Sequence, residues 1–591
     1  MATIRKSPSS PLFHLLGTTS AADGLFGSVF SHLTPKDAVR RRSFAAAAFI
    51  IVFFTLFFIY SSTLYHYSCP RIPSNNLSLV FRRNIAVEED ELFTSLNSFP
   101  VLLPGWEVLL ITERRNVTDN QLYFCLYPNN ETSPARVSAD MPSTNQSTFK
   151  CELPANNRRR LPFWSPVLVS LSSGRFPPPP PEREIVWWNN LAYESVSTLD
   201  DVVVFAKGVN NHQGINTSPR ELNCVFFFEN GTNLARTRVH SSIQEVFRCS
   251  HPSPLDNPTT RVKVSLEVLT TKKVIPSVAY YNQRKLQPPN YKRKKEKATV
   301  CAMTMVYNAG KFLREWVIYH ASIGVEKFIF YDNDSDDDTV AILEDIKQEG
   351  FDVERETWKW PKAQEAGFSH AALLGNSTCA WMMFLDVDEF LYSPSWIDST
   401  APSTAMIPSM LSGRGKVGQV SFKCNEFGPS GREAHPVEGV IQGYTCRRKL
   451  DTRHKSIVRL EAVDGSLANA VHHFSIDEGR YTWRHLGLES WVVNHYKYQA
   501  WEEFKGKFRR RVSAYVVDWT KNVNMNSQDR APGLGSNAVK PSGWEEKFCE
   551  VKDERLKMIA GGWFGLIDSQ GGFRMVWQRP TKAHGLVSHL L

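Results

Sequence analysis

Residues 380–392 read AWMMFLDVDEFLY and gather three carboxylates, Asp386, Asp388 and Glu389, inside an otherwise apolar run. A carboxylate taken into an apolar interior is costly unless a positive partner goes with it. On an extended strand Asp386 and Asp388 point to one side and Val387 to the other. Two hard oxygen donors at the end of a buried strand suit Mg²⁺ or Mn²⁺, with the oxygens of a diphosphate as further ligands. A second acidic run, YDNDSDDD, closes another apolar segment at 331–338.

Three other readings compete. A solvated acidic turn fits poorly between the apolar flanks MMFL and FLY. An EF-hand fails on DNDSDDDTVAILE, where Asp337 takes the place of the glycine and Leu343 that of the closing glutamate. An aspartate nucleophile of the phosphatase kind also suits an apolar strand ending in Asp-X-Asp. Here, however, Glu389-Phe390 follows the motif, where a small or β-branched pair is usual, and three βα units precede it.

The segments that must position these groups alternate in type. TVCAMTMVY, KFIFYD, FDVERETW and AWMMFLD read as strands, and AGKFLREWVIYHASIG, DDDTVAILEDIKQEG and AQEAGFSHAALLG as helices. Gly324 and Gly350 close the first two helices, and acidic residues open the second. Strands alternating with helices predict a parallel sheet covered on both faces, with ligands beyond the carboxyl ends of the strands. Asp386 and YDNDSDDD both fall at such ends.

Upstream the rhythm is that of short strands. WEVLLITER, QLYFCLY, SPVLVSLS, EIVWW, DVVVFAKGV, ELNCVFFFE, RVKVSLEVL and VIPSVAYY are separated by Pro, Asn, Gly and Ser clusters, which predicts a β-sandwich-like domain over 101–287. FPPPPPE at 176–182 is a stiff connection within it. Adjacent Trp187 and Trp188 are candidates to stack on sugar rings, although neighbours on a strand face opposite ways and one of them is expected in the core. PPNYKRKKEK, 288–297, reads as the linker to a domain over 298–591. Basic KFRRR at 507–511 suits an acidic chain or a solvated helix face.

From Ser43 to Pro70 no Asp, Glu, Lys or Arg occurs. About 20 apolar residues cross a bilayer core, so 44–67 is read as a transmembrane helix, followed by a stem over 68–100. Arg40, Arg41 and Arg42 favour a cytoplasmic tail over 1–43. A cleaved signal peptide fits less well, because the leader and the apolar run are both long for one. The Asn-X-Ser/Thr acceptors Asn76, Asn116, Asn130, Asn145, Asn216, Asn230, Asn333 and Asn376 all follow the span, with Asn333 and Asn376 expected to be the buried ones. All ten cysteines follow it too, where disulfides form. Proximity suggests Cys125–Cys151, Cys224–Cys249 and Cys424–Cys446, although spacing alone leaves connectivity open. Length predicts more than one domain. A net charge of +9 over 591 residues, with no zinc spacing or nucleic-acid motif, argues against a nucleic-acid partner.

VYNAGKFLREWVIYHASIGVEKFIFYDNDSDD, MMFLDVDEFLY, HKSIVRLEAVDGSLANAVHHF and NHYKYQAWEEFKGK, in this order, resemble glycosyltransferase family 92 over about residues 298–520. That family includes plant pectic β-1,4-galactan synthases and animal galactosyltransferases. The anchor, stem and β-rich domain are similar to the plant layout, whose N-terminal domain resembles a carbohydrate-binding module. The resemblance implies an α/β, GT-A-type (Rossmann-like) catalytic domain, inverting and dependent on Mn²⁺ or Mg²⁺ and a UDP-sugar. On this reading Asp386 and Asp388 hold the metal against the diphosphate, with His473 or His495 as a third ligand. Asp332, Asn333, Tyr307 and Asn308 contact the nucleotide, and Lys455 pairs with phosphate. The bland readings are a turn for Asn308-Ala309-Gly310, partly buried histidines and an exposed lysine. Inversion needs a general base, for which Glu426 in CNEFGPSG is the candidate, with Glu433 and Asp477 as alternatives.

The expectation is therefore a type II Golgi membrane glycosyltransferase with a lumenal catalytic domain. It would transfer a hexose, galactose above all, to a polysaccharide or glycan such as pectic β-1,4-galactan, and homo-oligomerisation is compatible with that. The alternative is an inactive membrane-anchored carbohydrate-binding protein.

Overall fold

The computed structural model describes residues 95–578 apart from 115–120, 142–143, 160, 171–176, 211–214, 255–259, 284–295, 414, 451–452, 471, 507–539 and 568–570. The apolar run at 44–67, residues 288–295 of the linker and KFRRR lie outside the described residues. No helix among the described residues is long and apolar enough to cross a membrane.

The β-rich part is two units rather than one sandwich. Strands from Ser95–Leu96 to Val186–Trp187 form one eight-stranded sheet, and strands from Ala192–Ser197 to Tyr280–Tyr281 form another. Each has its own apolar core, one around Leu102, Val108, Phe149 and Leu168 and the other around Val204, Phe226, Phe247 and Val264. Cys125–Cys151 lies in the first and Cys224–Cys249 in the second, as proximity suggested. Trp188 is buried, while half-buried Trp187 stacks on Phe163, so neither indole stands free as a sugar platform.

The α/β part is built on strands β1 (Ala298–Val306), β2 (Lys327–Asp332), β3 (Val353–Thr357), β4 (Cys379–Phe384), β5 (Glu389–Tyr392), β6 (Val417–Glu426), β7 (Arg453–Arg459), β8 (Thr482–Leu486) and β9 (Val492–His495), with helices α1 (Gly310–Ser322), α2 (Thr339–Gln348) and α3 (Gln364–Gly375). The sheet order is β3-β2-β1-β4-β7-β6-β9-β5, with β8 also beside β6. The first four strands are parallel, as their apolar, helix-separated sequences require. From β7 onward the sheet is mixed: β7 runs antiparallel to β4 and β6, and β9 runs parallel to β6. The change of direction carries β7 and β9 to the carboxyl end of β4, the place where the parallel rule puts ligands.

Helix α1 shows why the edge strand β5 is fixed. Phe312, Leu313, Trp316, Val317 and Tyr319 recur at helical spacing and are all buried. Trp316 Nε1 donates to the Glu389 carbonyl at 3.1 Å, and the Tyr319 hydroxyl donates to that of Leu391 at 2.9 Å. Gly324, at φ 116, ends the helix, as a left-handed C-terminal cap requires. Wholly buried His320 bonds the Trp316 carbonyl through Nδ1 at 2.9 Å and accepts the Leu391 amide through Nε2 at 3.4 Å. Burial pulls its pKa down to about 3, with the Trp316 hydrogen bond working weakly against it. A depressed histidine makes the folded state bind fewer protons than the unfolded one between pH 6.5 and about 3. Its contribution is present above pH 6.5 and is lost as pH falls. Denaturant titrations of His320→Gln between pH 4 and 7 are expected to show a slope one proton smaller than wild type, up to about 1.4 kcal/mol per pH unit.

The β-rich units and the mixed sheet share apolar packing. One cluster contains Val101, Leu109, Trp188, Tyr193 and Phe205 together with Met303, Tyr331, Trp358 and Phe368, and Glu91–Leu591 is one compact unit. Two further disulfides, Cys301–Cys379 and Cys446–Cys549, complete the four among the described residues. The suggested Cys424–Cys446 pair is therefore corrected. Cys424 lies in the apolar core on β6, while Cys446 sits on a short strand that pairs with Val551–Lys552 and faces Cys549. Asn376 is exposed at the end of α3, contrary to expectation, whereas Asn333 is half-buried with its amide donating to the Trp358 carbonyl at 2.6 Å.

Candidate active site

The run AWMMFL is buried to its end. β4 stops at Phe384, and the chain turns through Val387 and Asp388, closed by the Glu389 amide donating to the Asp386 carbonyl at 3.0 Å. Strand alternation therefore does not govern the two aspartates, and each faces its own histidine. Asp386, with its side chain 31% exposed, lies 3.8 Å from His472 Nε2 and 3.9 Å from Lys455 Nζ. Asp388, 8% exposed, lies 3.7 Å from His495 Nε2. β9 pairs with β5 so that His495 stands opposite Glu389.

The positive partner that the acidic run demands is partly built in. Lys455, buried on β7, reaches Glu389 Oε1 at 2.6 Å and His472 Nε2 at 2.6 Å. His472 Nδ1 sits 2.7 Å from the Phe384 carbonyl, which can only accept, so Nδ1 carries the proton and Nε2 accepts from the ammonium. Burial disfavours the Lys455 charge, but Glu389 and Asp386 outweigh it and hold its pKa above the usual value. Wholly buried Glu389 turns its other oxygen onto the Asp386 amide at 3.0 Å. Burial pushes it up to about 8, with Lys455 pulling it down and the charges of Asp386 and Asp388 adding to the rise. Asp386 and Glu389 lie beside the Lys455 ammonium and Asp388 beside His495, so with all three carboxylates ionised the group would carry two negative charges in excess, the charge of one divalent cation.

The donor set suits such an ion. Ligand atoms of Asp386, Glu389 and His472 lie within 4.8 Å of one another. Lys455 already engages the Glu389 and His472 atoms, which leaves Asp386 and Asp388, with His495, as the residues that would hold a metal. Carboxylate oxygens with one imidazole fit Mn²⁺ or Mg²⁺ better than a soft ion.

Other sequence candidates fall differently. His473 lies outside this group: it bonds the ring of His454 and faces Trp483, while its neighbour His472 stands beside Asp386. Nothing in AVHHF distinguishes the two, because they sit in a loop with no fixed alternation. Lys455 is buried rather than exposed. Glu426 is corrected as a general base. It is wholly buried, one oxygen 2.8 Å from Lys497 Nζ and the other 3.0 Å from Arg448 Nη1, so it anchors cations and presents nothing to an acceptor hydroxyl. Glu433 is exposed, and Asp477 pairs with Arg480 at the surface.

The second acidic run is largely spent on structure. Asp337 accepts the Gly310 and Thr339 amides at 3.1 and 3.0 Å, opening α1 and α2. Asn308, at φ 49, exchanges bonds with Asp336, and half-buried Tyr307 precedes it. Asp332 accepts the Ser335 amide at 2.9 Å and pairs with Arg355 at 3.1 Å. Asp334, Lys150 and Lys359 form a buried ion cluster that the sequence reading missed. Its members lie far apart in the chain, and no local pattern announces it.

The fold and site together define an α/β protein with a carboxylate–histidine group at the carboxyl end of its fourth strand, where open parallel sheets bind their ligands. Residues 296–530 match the model of glycosyltransferase family 92. A family 92 protein of Arabidopsis thaliana is 41% identical over 68% of this chain and 70% of its own length. One of Ricinus communis is 35% identical over 81% of this chain and 84% of its own. Among solved structures, a Pyrobaculum calidifontis mannosyltransferase in complex with GDP-mannose and Mn²⁺ aligns at 9% identity, covering 38% of this chain and 65% of its own, with a TM-score of 0.24. The Mycobacterium tuberculosis glucosyl-3-phosphoglycerate synthase, with Mn²⁺ and UDP, aligns at 13% identity over 37% and 79%, with a TM-score of 0.18. The assignment rests on the plant relatives: this chain belongs to glycosyltransferase family 92, and it is a glycosyltransferase.

Proposed function

We propose that the protein is an inverting, metal-dependent hexosyltransferase of the GT-A type that draws on a UDP-sugar. The observation that carries this reading is the cluster at the end of β4, where Asp386 and Glu389 share a single ammonium and Asp388 stands beside His495. Asp386, Asp388 and His495 would hold Mn²⁺ or Mg²⁺. That ion, when bound, neutralises the charge that develops on the departing nucleoside diphosphate. Lys455 pairs with Glu389 and stands beside Asp386, and Glu389 fixes the Asp386 backbone. The base that takes the acceptor proton must lie across the sugar from the diphosphate, away from buried Glu426.

In finer detail the reading is a type II Golgi membrane protein with its catalytic part lumenal, transferring galactose to a pectic β-1,4-galactan or similar glycan. The apolar run at 44–67, the arginines before it and the acceptor asparagines after it support that topology. Disulfides in both β units and across β1 and β4 are in keeping with a secretory compartment. Purified protein supplied with Mn²⁺, a panel of UDP-sugars and galacto-oligosaccharides tests this. Transfer from UDP-galactose that stops with a chelator and returns with Mn²⁺ is expected. Inertness toward every donor would contradict it.

A further inference from the structure

Outside the carboxylate group, a cavity of about 550 Å³ lies between the first β unit and the carboxyl ends of β2 and β3. Asp332 and Arg355 line one side, and Arg114, Ser138, Ala139 and Asp140 the other. β2 is separated from β4 only by β1, so the cavity lies about 10 Å along the sheet edge from Asp386. A nucleoside diphosphate whose phosphates sit at the acidic group would lay its base and ribose in that direction.

The β-unit side is shaped for a purpose beyond pairing. The strand Thr132–Met141 loses register against its neighbour between Val137 and Asp140, a bulge that turns Ser138 and Ala139 out of the ladder. Bulges of this kind re-aim side chains beside active sites. The Ser138 hydroxyl bonds both Asp334 and Lys359. Asp334, at φ 67 and two residues past Asp332, is gripped by Lys150 of the β unit at 2.5 Å and by Lys359 at 3.0 Å. The β unit therefore sets the loop that ends β2. Arg114 pairs with Asp140 at 3.1 Å, half-exposed, so a guanidinium plane and a carboxylate face Asp332 and Arg355 across the cavity. A guanidinium stacks on a flat heterocycle, and carboxylate and guanidinium together match its imide and carbonyl edge.

We propose that the first β unit is one wall of the donor's nucleoside pocket, with Arg114 and the Ser138–Asp140 bulge completing the half formed by Asp332 and Arg355. This rests on the UDP-sugar reading and assigns the β unit a part in donor binding. The test titrates UDP, in saturating Mn²⁺, into the solubilised full-length protein and two variants. Ala139→Trp fills the cavity and is expected to weaken UDP binding at least 30-fold. Arg114→Ala, at an exposed position, is expected to weaken it about 5- to 10-fold, the size of one stacking contact. Uptake of Mn²⁺ alone stays as in wild type for both. Wild-type affinity in Arg114→Ala overturns the inference while leaving the UDP-sugar reading intact, whether or not Ala139→Trp folds. Failure of the wild-type protein itself to bind UDP overturns both.

Discussion

Asp388→Ala is expected to lower kcat/KM for sugar transfer by about 10³-fold or more, the loss that follows when several kcal/mol of metal-borne charge stabilisation disappear. Asp388 and His495 face each other beside Glu389, so removing this carboxylate leaves the imidazole without the partner that orients it toward an ion. The backbone is not expected to follow, because the Asp388 carbonyl keeps the Tyr496 amide at 2.9 Å and β5 keeps the aromatic donors of α1. Asp386→Asn should behave similarly, with thermal unfolding near wild type in both. Glu426→Gln separates the two kinds of role. It removes a buried counter-charge of Lys497 and Arg448, so its deficit should appear in stability before turnover. A full-strength Asp388→Ala enzyme in a steady-state assay would contradict the metal assignment.

Lys455→Met should cost more in folding than any other single change in the site. The ammonium is the built-in counter-charge of Glu389 and the donor to His472. Removing one partner of a buried ion pair leaves the other charge uncompensated, which costs about 3–5 kcal/mol. Urea titration should register that loss. The double change Lys455→Met/Glu389→Gln should recover much of it, since neighbours in one network do not add independently. Mn²⁺ should raise the stability of Lys455→Met by binding its folded state. Equal stability of Lys455→Met and wild type would mean that the ammonium does not balance the carboxylates.

The parallel half of the catalytic sheet was legible because periodicity was strong. Four apolar strands, three helices and the glycines that end two of them fall where the pattern puts them. The position of Asp386 followed from the same pattern. Its relation to Asp388 did not, because a turn replaces the strand two residues earlier than the apolar run suggests. Choosing between His472 and His473, or seeing that Lys455 is buried, depends on where a loop crosses β4, a tertiary fact. The acidic run after β2 misled through composition: Asp337 caps two helices, Asp334 closes an ion cluster, and Asp332 and Asp336 bond Arg355 and Asn308. Glu426 looked available because glycine follows it nearby, yet β6 carries it inward between two cations. The β-rich segment read as one sandwich because strand spacing does not reveal where one core ends and the next begins.

Direct titration of Mn²⁺, followed by the loss of its free-ion paramagnetic resonance signal with and without UDP, bears on the central claim with least intervening chemistry. One ion per chain is expected, bound more tightly when UDP is present and released in the Asp386→Ala/Asp388→Ala double variant. Uptake that ignores UDP, or that survives loss of both aspartates, would show that the negative charge at the end of β4 is balanced by Lys455 and protons alone.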